Sequence, residues 1–305
     1  CHFESMLRNE FFNFHTQSND LLDQIRFRFS ILFQRELIDL SSYKNKEYSS
    51  KNLLNALPLL PSARYLSIKQ FRNNNVYSLL NNYIANFNEL KNISIDGSVD
   101  YQNDTVSFSN FINSMKTNLN SKMVGLSFLN SNFTETDLNL ISMYVASNGI
   151  ESIEFHKTFS DKAVIDFFIT TFLTSLSQSP KLTSFYIEEI EFLDIDEFLK
   201  NLPHEITSLS IVDCKCNIDQ IFTTIKTDSK FSNKLDVLNL SFNTFQFDIF
   251  NFDIPSFLSV IILDYVTFPN GILVPFLNSL FRSIKNDSEI SLIQMKSSDD
   301  DFSKL

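Results

Sequence analysis

The stretch KLDVLNLSFNTF, Lys234 to Phe245, spaces Leu235, Leu238, Leu240, Asn243 and Phe245 as L-x-x-L-x-L-x-x-N-x-F. This spacing is too tight for one face of a helix and too irregular for a simple alternating strand. A single occurrence decides little, so the pattern has to be slid along the chain to see whether it returns at a fixed interval.

It does return. Counting from the first position of each unit, matches begin at Ala63 (Leu66, Ile68, Phe71), Leu90 (Ile93, Ile95), Met123 (Leu126, Phe128, Phe133) and Ile150 (Ile153, Phe155). They continue at Leu182 (Phe185, Ile187, Ile190, Phe192), Ile206 (Leu209, Ile211, Cys214, Cys216), Leu235, Leu258 (Ile261, Leu263, Val266, Phe268) and Ile290 (Ile293, Met295). A degenerate first unit starts at Arg35, with Ile38 and Leu40, which makes ten candidate units 23 to 33 residues apart with a mean near 28. Apolar residues three and four apart mark helices between them, at Val76 to Phe87, Phe108 to Leu119, Thr136 to Ala146, Asp161 to Leu176, Ile195 to Leu202, Ile218 to Ile225 and Ile272 to Ile284. Thr134, Thr136 and Asp161 are placed to cap two of those helices. The segment after Phe245 is too short for a full helix and is expected to cross as a turn or a 3₁₀ segment.

Each unit therefore reads as strand then helix. A pair of this length cannot close a core alone, whereas stacked copies share one. The pattern resembles the leucine-rich repeat, and its length and helical connections are similar to the ribonuclease-inhibitor-like class. That resemblance implies an α/β solenoid, a horseshoe with a parallel concave β-sheet and convex helices, over residues 35–296. At the ninth position, where the class carries Asn or Cys, Asn243 and Cys214 fit, Ser98, Ser131 and Thr158 fit in part, and Phe71, Ile190 and Val266 do not. Residues 1–34 are expected to form a helical cap or the end of a preceding domain, and residues 297–305 a polar, acidic tail. A first residue of Cys rather than Met reads as a fragment or excised domain.

The 305 residues are 43% hydrophobic and 20% charged, enough to bury a large core. A net charge of -11 argues against a nucleic-acid binder, which needs clustered Lys and Arg, and favours a basic partner. No apolar run is long enough to span a bilayer. Three cysteines argue against a disulfide framework and for a reducing, cytoplasmic location, and the five N-x-S/T sites, at Asn92, Asn103, Asn132, Asn239 and Asn286, read as unused.

No motif for catalysis is present. Cys214 and Cys216 form C-x-C near His204, but both fall on inward positions and read as buried structural thiols rather than zinc ligands. The adjacent Glu188 and Glu189 diverge along a strand and do not make an acid/base pair. Neither a cofactor nor a metal is expected.

What remains is the outward surface. Positions two, three, five, seven and eight lie on or beside the concave face. They carry Glu151, Glu154, His156 and Lys157, then Tyr186, Glu188 and Glu189, then Asp213, then Asp236, Asn239 and Phe242, then Asp264 and Tyr265, while earlier units carry Arg64, Lys69 and Lys91. Of these, Glu154, His156, Tyr186, Glu188, Glu189, Asp213, Asp236, Phe242, Asp264 and Tyr265 are the candidate binding residues. Acidic groups interleaved with exposed aromatics suit a basic protein partner. The expected function is a non-catalytic interaction scaffold. The alternative is a regulator of an enzyme or filament, since similar repeats occur in the cytoplasmic ribonuclease inhibitor, nucleotide-binding immune receptors, Ran GTPase activators and the CARMIL actin-capping regulators.

Overall fold

The computed structural model describes residues 37–39, 64–68, 81, 84, 90–96, 105–117, 123–159, 161–177, 179–192, 194–232, 234–246, 254–283 and 287–297. The expected cap at 1–34, all of the expected tail beyond Ser297 and most of the helix expected at Val76 to Phe87 lie outside them.

The units expected from the repeat each hold a strand: β1 Leu37–Asp39, β2 Tyr65–Ile68, β3 Asn92–Asp96, β4 Gly125–Leu129, β5 Ser152–His156, β6 Ser184–Glu188, β7 Ser208–Val212, β8 Val237–Asn239, β9 Val260–Ile262 and β10 Glu289–Ser291. They form one sheet in chain order, every pair parallel. Parallel neighbours need a crossover, and the described crossovers contain α1 Thr105–Thr117, α2 Glu135–Asn148, α3 Lys162–Phe167 followed by a π segment Phe168–Phe172 and α4 Leu173–Leu176, then α5 Ile195–Asn201, α6 Ile218–Thr227, α7 Ser229–Ser232 and α8 Leu273–Ser283.

The burial of the strands follows from their alternation. On β5 and β6 the fourth and sixth positions are buried and their neighbours half-buried. The inward residues join the helices' apolar residues in one hydrophobic cluster. The sheet thus has a covered face and an open face. Phe155 shows the contact directly, with its ring 5.5 Å from Phe168 and 5.6 Å from Phe172. The helix expected as one piece over Asp161 to Leu176 contains the π segment. Its wider turn stacks Phe168 on Phe172, 5.2 Å apart, so that both reach Phe155. Two of the three expected caps hold: Thr134 forms a capping box with Asp137, and Asp161 accepts from the Ala163 amide, whereas Thr136 lies inside the helix. The described residues between Phe245 and β9 hold no helix.

The strands from β4 to β10 leave the sheet by the same device. The eighth residue of successive units, Asn130, Lys157, Glu189, Asp213, Phe242, Tyr265 and Gln294, has a left-handed backbone with φ between 48° and 63°. The turn aims its amide at the seventh carbonyl of the next unit, as in Asn130 to His156 at 2.8 Å, Lys157 to Glu188 at 2.8 Å and Tyr265 to Ile293 at 2.7 Å.

Two registers differ from the sequence reading. The last unit does not begin at Ile290: β10 pairs Ile290 with Ile261, which moves the unit three residues earlier. Ile293 is consequently an outward residue, 54% exposed, while Ile290, Leu292 and Met295 pack against the core. In the cysteine unit, Asn217 bridges to Thr244, so Cys216 rather than Cys214 stands level with Asn243. Two extra residues there are absorbed by left-handed turns at both Asp213 and Lys215.

Candidate functional site

The open face is mostly paved with small residues. The third and fifth positions of successive strands supply Ser94, Gly125, Ser127, Ser152, Ser184, Ser208 and Ser210. From this low floor, β5 and β6 raise a cluster that the register brings together, because Glu154 pairs with Tyr186 and His156 with Glu188. His156 Nδ1 lies 2.6 Å from Glu188 Oε2, and its Nε2 lies 3.4 Å from Glu154 Oε2. The Tyr186 hydroxyl donates to the same Glu188 oxygen at 2.9 Å, and its ring stacks on the imidazole with centroids 4.5 Å apart. Four of the ten expected binding residues thus form one hydrogen-bonded unit.

Burial opposes charge on His156, but the hydrogen bonds to Glu154 and Glu188, and their negative charge, outweigh it and raise its pKa above the ordinary value. Tyr186 is raised further still, by burial and then by Glu188, so it stays a neutral donor. A histidine whose folded-state pKa exceeds its unfolded value binds protons more tightly when folded. The resulting stabilisation is complete below about pH 6.5 and is lost as pH rises through the folded-state value. We expect the His156 ring resonances to titrate above those of a free imidazole, and the shift to shrink in Glu188→Gln. An unshifted titration would contradict the geometry.

A second pair lies at the strand exits of β8 and β9, where Phe242 and Tyr265 stack face to face, 4.5 Å apart and 8° from parallel. Phe242 is 48% exposed. Beside them, Asp264 is committed to structure: its Oδ1 accepts from Ser291 Oγ at 2.7 Å and from the Ile293 amide at 2.8 Å. Glu189 turns away from Glu188 and pairs with Lys157 at 2.8 Å. Asp213 is exposed at its strand exit, and Asp236 sits exposed at the entry to β8, at the other end of the strand from Phe242. The ten residues therefore divide into a central polar cluster, an aromatic pair and four acidic residues around them, of which Glu189 is paired with Lys157 and Asp264 is hydrogen-bonded within the fold.

Cys214 and Cys216 are buried free thiols, with Cys216 Sγ donating to the Cys214 carbonyl at 3.4 Å. Burial pushes the Cys214 thiol well up and Cys216 to about 12, so neither is a thiolate near neutral pH. Among the described residues, no group of three or more His, Cys, Asp and Glu could hold a metal ion, and no helix is long and apolar enough to cross a membrane.

One feature of the face was not visible in the sequence. Between β2 and β5 lies a groove of about 230 Å³, lined by Tyr65, Asn92, Ser94, Gly125, Ser127 and Glu154 among others. Motif reading looks for large or reactive side chains, and this groove is made by their absence.

Comparison with models of known protein families and with curated proteins gives no match.

Proposed function

We propose that the chain is a leucine-rich repeat solenoid of the ribonuclease-inhibitor-like kind, and that it is a non-catalytic module binding a basic protein partner on the open, concave face of its sheet. The ten parallel strands, adjacent in chain order, support the architecture. The observation that carries the function is the Phe242–Tyr265 stack.

The fold requires a left-handed residue at the eighth position, a conformation that Asn tolerates and bulky side chains resist. Asn130 and Asp213 meet that need with tolerant residues and Lys157, Glu189 and Gln294 with flexible polar chains, whereas Phe242 and Tyr265 place aromatic rings there at φ of 63° and 60°. Two aromatics placed where the backbone disfavours them, and turned partly to solvent, are poorly explained by folding. They suit interface anchors, which hold most binding energy in a few aromatic residues. Glu154, Glu188 and Asp213 add the charge that draws in a basic surface.

The test compares the wild type with two triple variants against a partner captured from the source extract. Glu188→Gln/Glu189→Gln/Asp213→Asn is expected to slow association and flatten its salt dependence. Tyr186→Ala/Phe242→Ala/Tyr265→Ala is expected to speed dissociation, at about 2 kcal/mol for each anchor. A partner held equally by all three proteins places binding elsewhere and ends this reading.

A further inference from the structure

The exits of β7, β8 and β9 form a row along the rim of the open face. The eighth residues of these units, Asp213, Phe242 and Tyr265, share a left-handed backbone, and the amide of each reaches the seventh carbonyl of the unit after it, Asp213 to Ser241 at 3.0 Å and Phe242 to Asp264 at 2.9 Å. Their side chains therefore follow one another at about the 4.8 Å spacing of neighbouring strands. The Phe242 and Tyr265 rings lie 4.5 Å apart and 8° from parallel, so they stack along the row. One face of Phe242 is covered by Tyr265, and the other is turned toward Asp213.

That second face is open. An aspartate side chain is shorter than a phenylalanine, so the outer part of the ring rises above it, in keeping with the 48% exposure of Phe242. No described Lys or Arg stands over that ring; among the described residues the cation over an aromatic is Lys230, on Phe231. Asp213 is exposed, and the two lysines that share the rim are held by other carboxylates, Lys157 by Glu189 at 2.8 Å and Lys215 by Glu191 at 3.0 Å. Of the attractions that raise the Lys157 pKa, the one from Asp213 is the weakest. An available carboxylate and an available ring face thus stand one strand spacing apart.

A cation placed there touches both at once. The stacked rings present one flat surface rather than a cage of converging walls, which suits a planar group. A guanidinium lies flat on an aromatic face while its edge N–H groups stay free for a carboxylate, and it is more weakly hydrated than an ammonium. We propose that Phe242 and Asp213 form a seat for an arginine side chain, with the guanidinium stacked on the outer ring face and bonded edge-on to the carboxylate. The proposal rests on the open-face reading and names the group that the basic partner presents. Tyr265 holds the Phe242 ring from behind, so little side-chain freedom is lost on binding.

The probe is N-acetyl-arginine amide, titrated into the isotope-labelled chain while the Phe242 ring and Asp213 amide resonances are followed. Saturable shifts at both are expected, with a several-fold weaker response to N-acetyl-lysine amide and none to N-acetyl-citrulline amide, which is planar and of similar length but uncharged. Asp213→Asn, which keeps the shape and removes the charge, is expected to weaken the arginine probe about fivefold. Phe242→Asn removes the ring and places at the left-handed position a residue that tolerates it, so the fold is kept and the shift at Asp213 is expected to vanish. Equal responses to arginine and lysine, or to arginine and citrulline, overturn the guanidinium assignment. Undiminished binding in Phe242→Asn, or no saturable shift in the wild type, overturns the seat itself. The two readings fail separately. If the probe leaves Phe242 and Asp213 unmoved while a partner is still released by the aromatic triple variant, the seat fails and the open-face interface stands; if the probe saturates at the seat while the triple variant holds the partner as the wild type does, the seat stands and the open-face interface fails.

Discussion

Phe155→Ala is expected to lose about 3 to 5 kcal/mol of stability, the range for truncating a fully buried aromatic. Phe155 is at 0% exposure in the middle of the sheet. Its ring lies 5.9 Å from Phe128, 6.4 Å from Phe133, 5.9 Å from Phe159 and 6.3 Å from Phe185, in addition to the two rings of the π segment. These neighbours come from the unit before, its own unit and the unit after, so the void would open at a seam between repeats rather than inside one. A repeat array owes its cooperativity to such nearest-neighbour interfaces. The variant should therefore lower the urea midpoint and also broaden the transition, as the two sides of the array begin to unfold separately. Phe281→Ala, at a side chain 63% exposed, is the control and should stay within about 0.5 kcal/mol. A loss under about 1 kcal/mol at Phe155 would mean that the surrounding rings collapse into the space, and that the phenylalanine spine is not a rigid packing element.

The phenylalanine and leucine spacing made most of the architecture legible, because burial on one face of a strand forces period-two alternation at the fourth and sixth positions. It misled where apolar residues satisfy two registers at once. Ile290, Leu292, Ile293 and Met295 fit the pattern equally well when it is shifted by three residues, and only pairing with β9 decides between the two. C-x-C likewise fits the ninth and eleventh positions, and the two inserted residues show only in the bridge from Asn217 to Thr244. At the site, the register correctly placed Glu154, His156, Tyr186 and Glu188 on adjacent strands, but not the shared Glu188 oxygen, which depends on side-chain rotamers. Asn239, at an outward position of β8, does more than face solvent. Its Oδ1 accepts from both the amide and the hydroxyl of Ser241, so it also holds the strand exit in place.

Asn243→Ala is expected to cost about 2 to 4 kcal/mol, more than an ordinary polar deletion, because of what its loss would strand. The side chain is at 0% exposure. Its Oδ1 accepts from the Cys214 and Cys216 amides, both at 3.1 Å, and its Nδ2 donates to the carbonyls of Ile211 at 2.6 Å, Leu240 at 3.1 Å and Ser241 at 3.3 Å. One amide thus stitches two successive units through backbone groups that the left-handed turns at Asp213 and Lys215 have taken out of the regular ladder. Alanine leaves two buried N–H groups without an acceptor, and each such orphan costs about 1 to 3 kcal/mol. Asn243→Asp separates the contributions: it preserves the acceptor, removes the donors and sets a negative charge against three carbonyl oxygens, so it should also be destabilising and should recover toward acid pH as the carboxylate protonates. Amide hydrogen exchange gives the local readout. Exchange at Cys214 and Cys216 should accelerate in Asn243→Ala well beyond the change at Leu126, in a distant strand. A uniform acceleration across the sheet would show that the asparagine contributes only to global stability and does not bridge the two units.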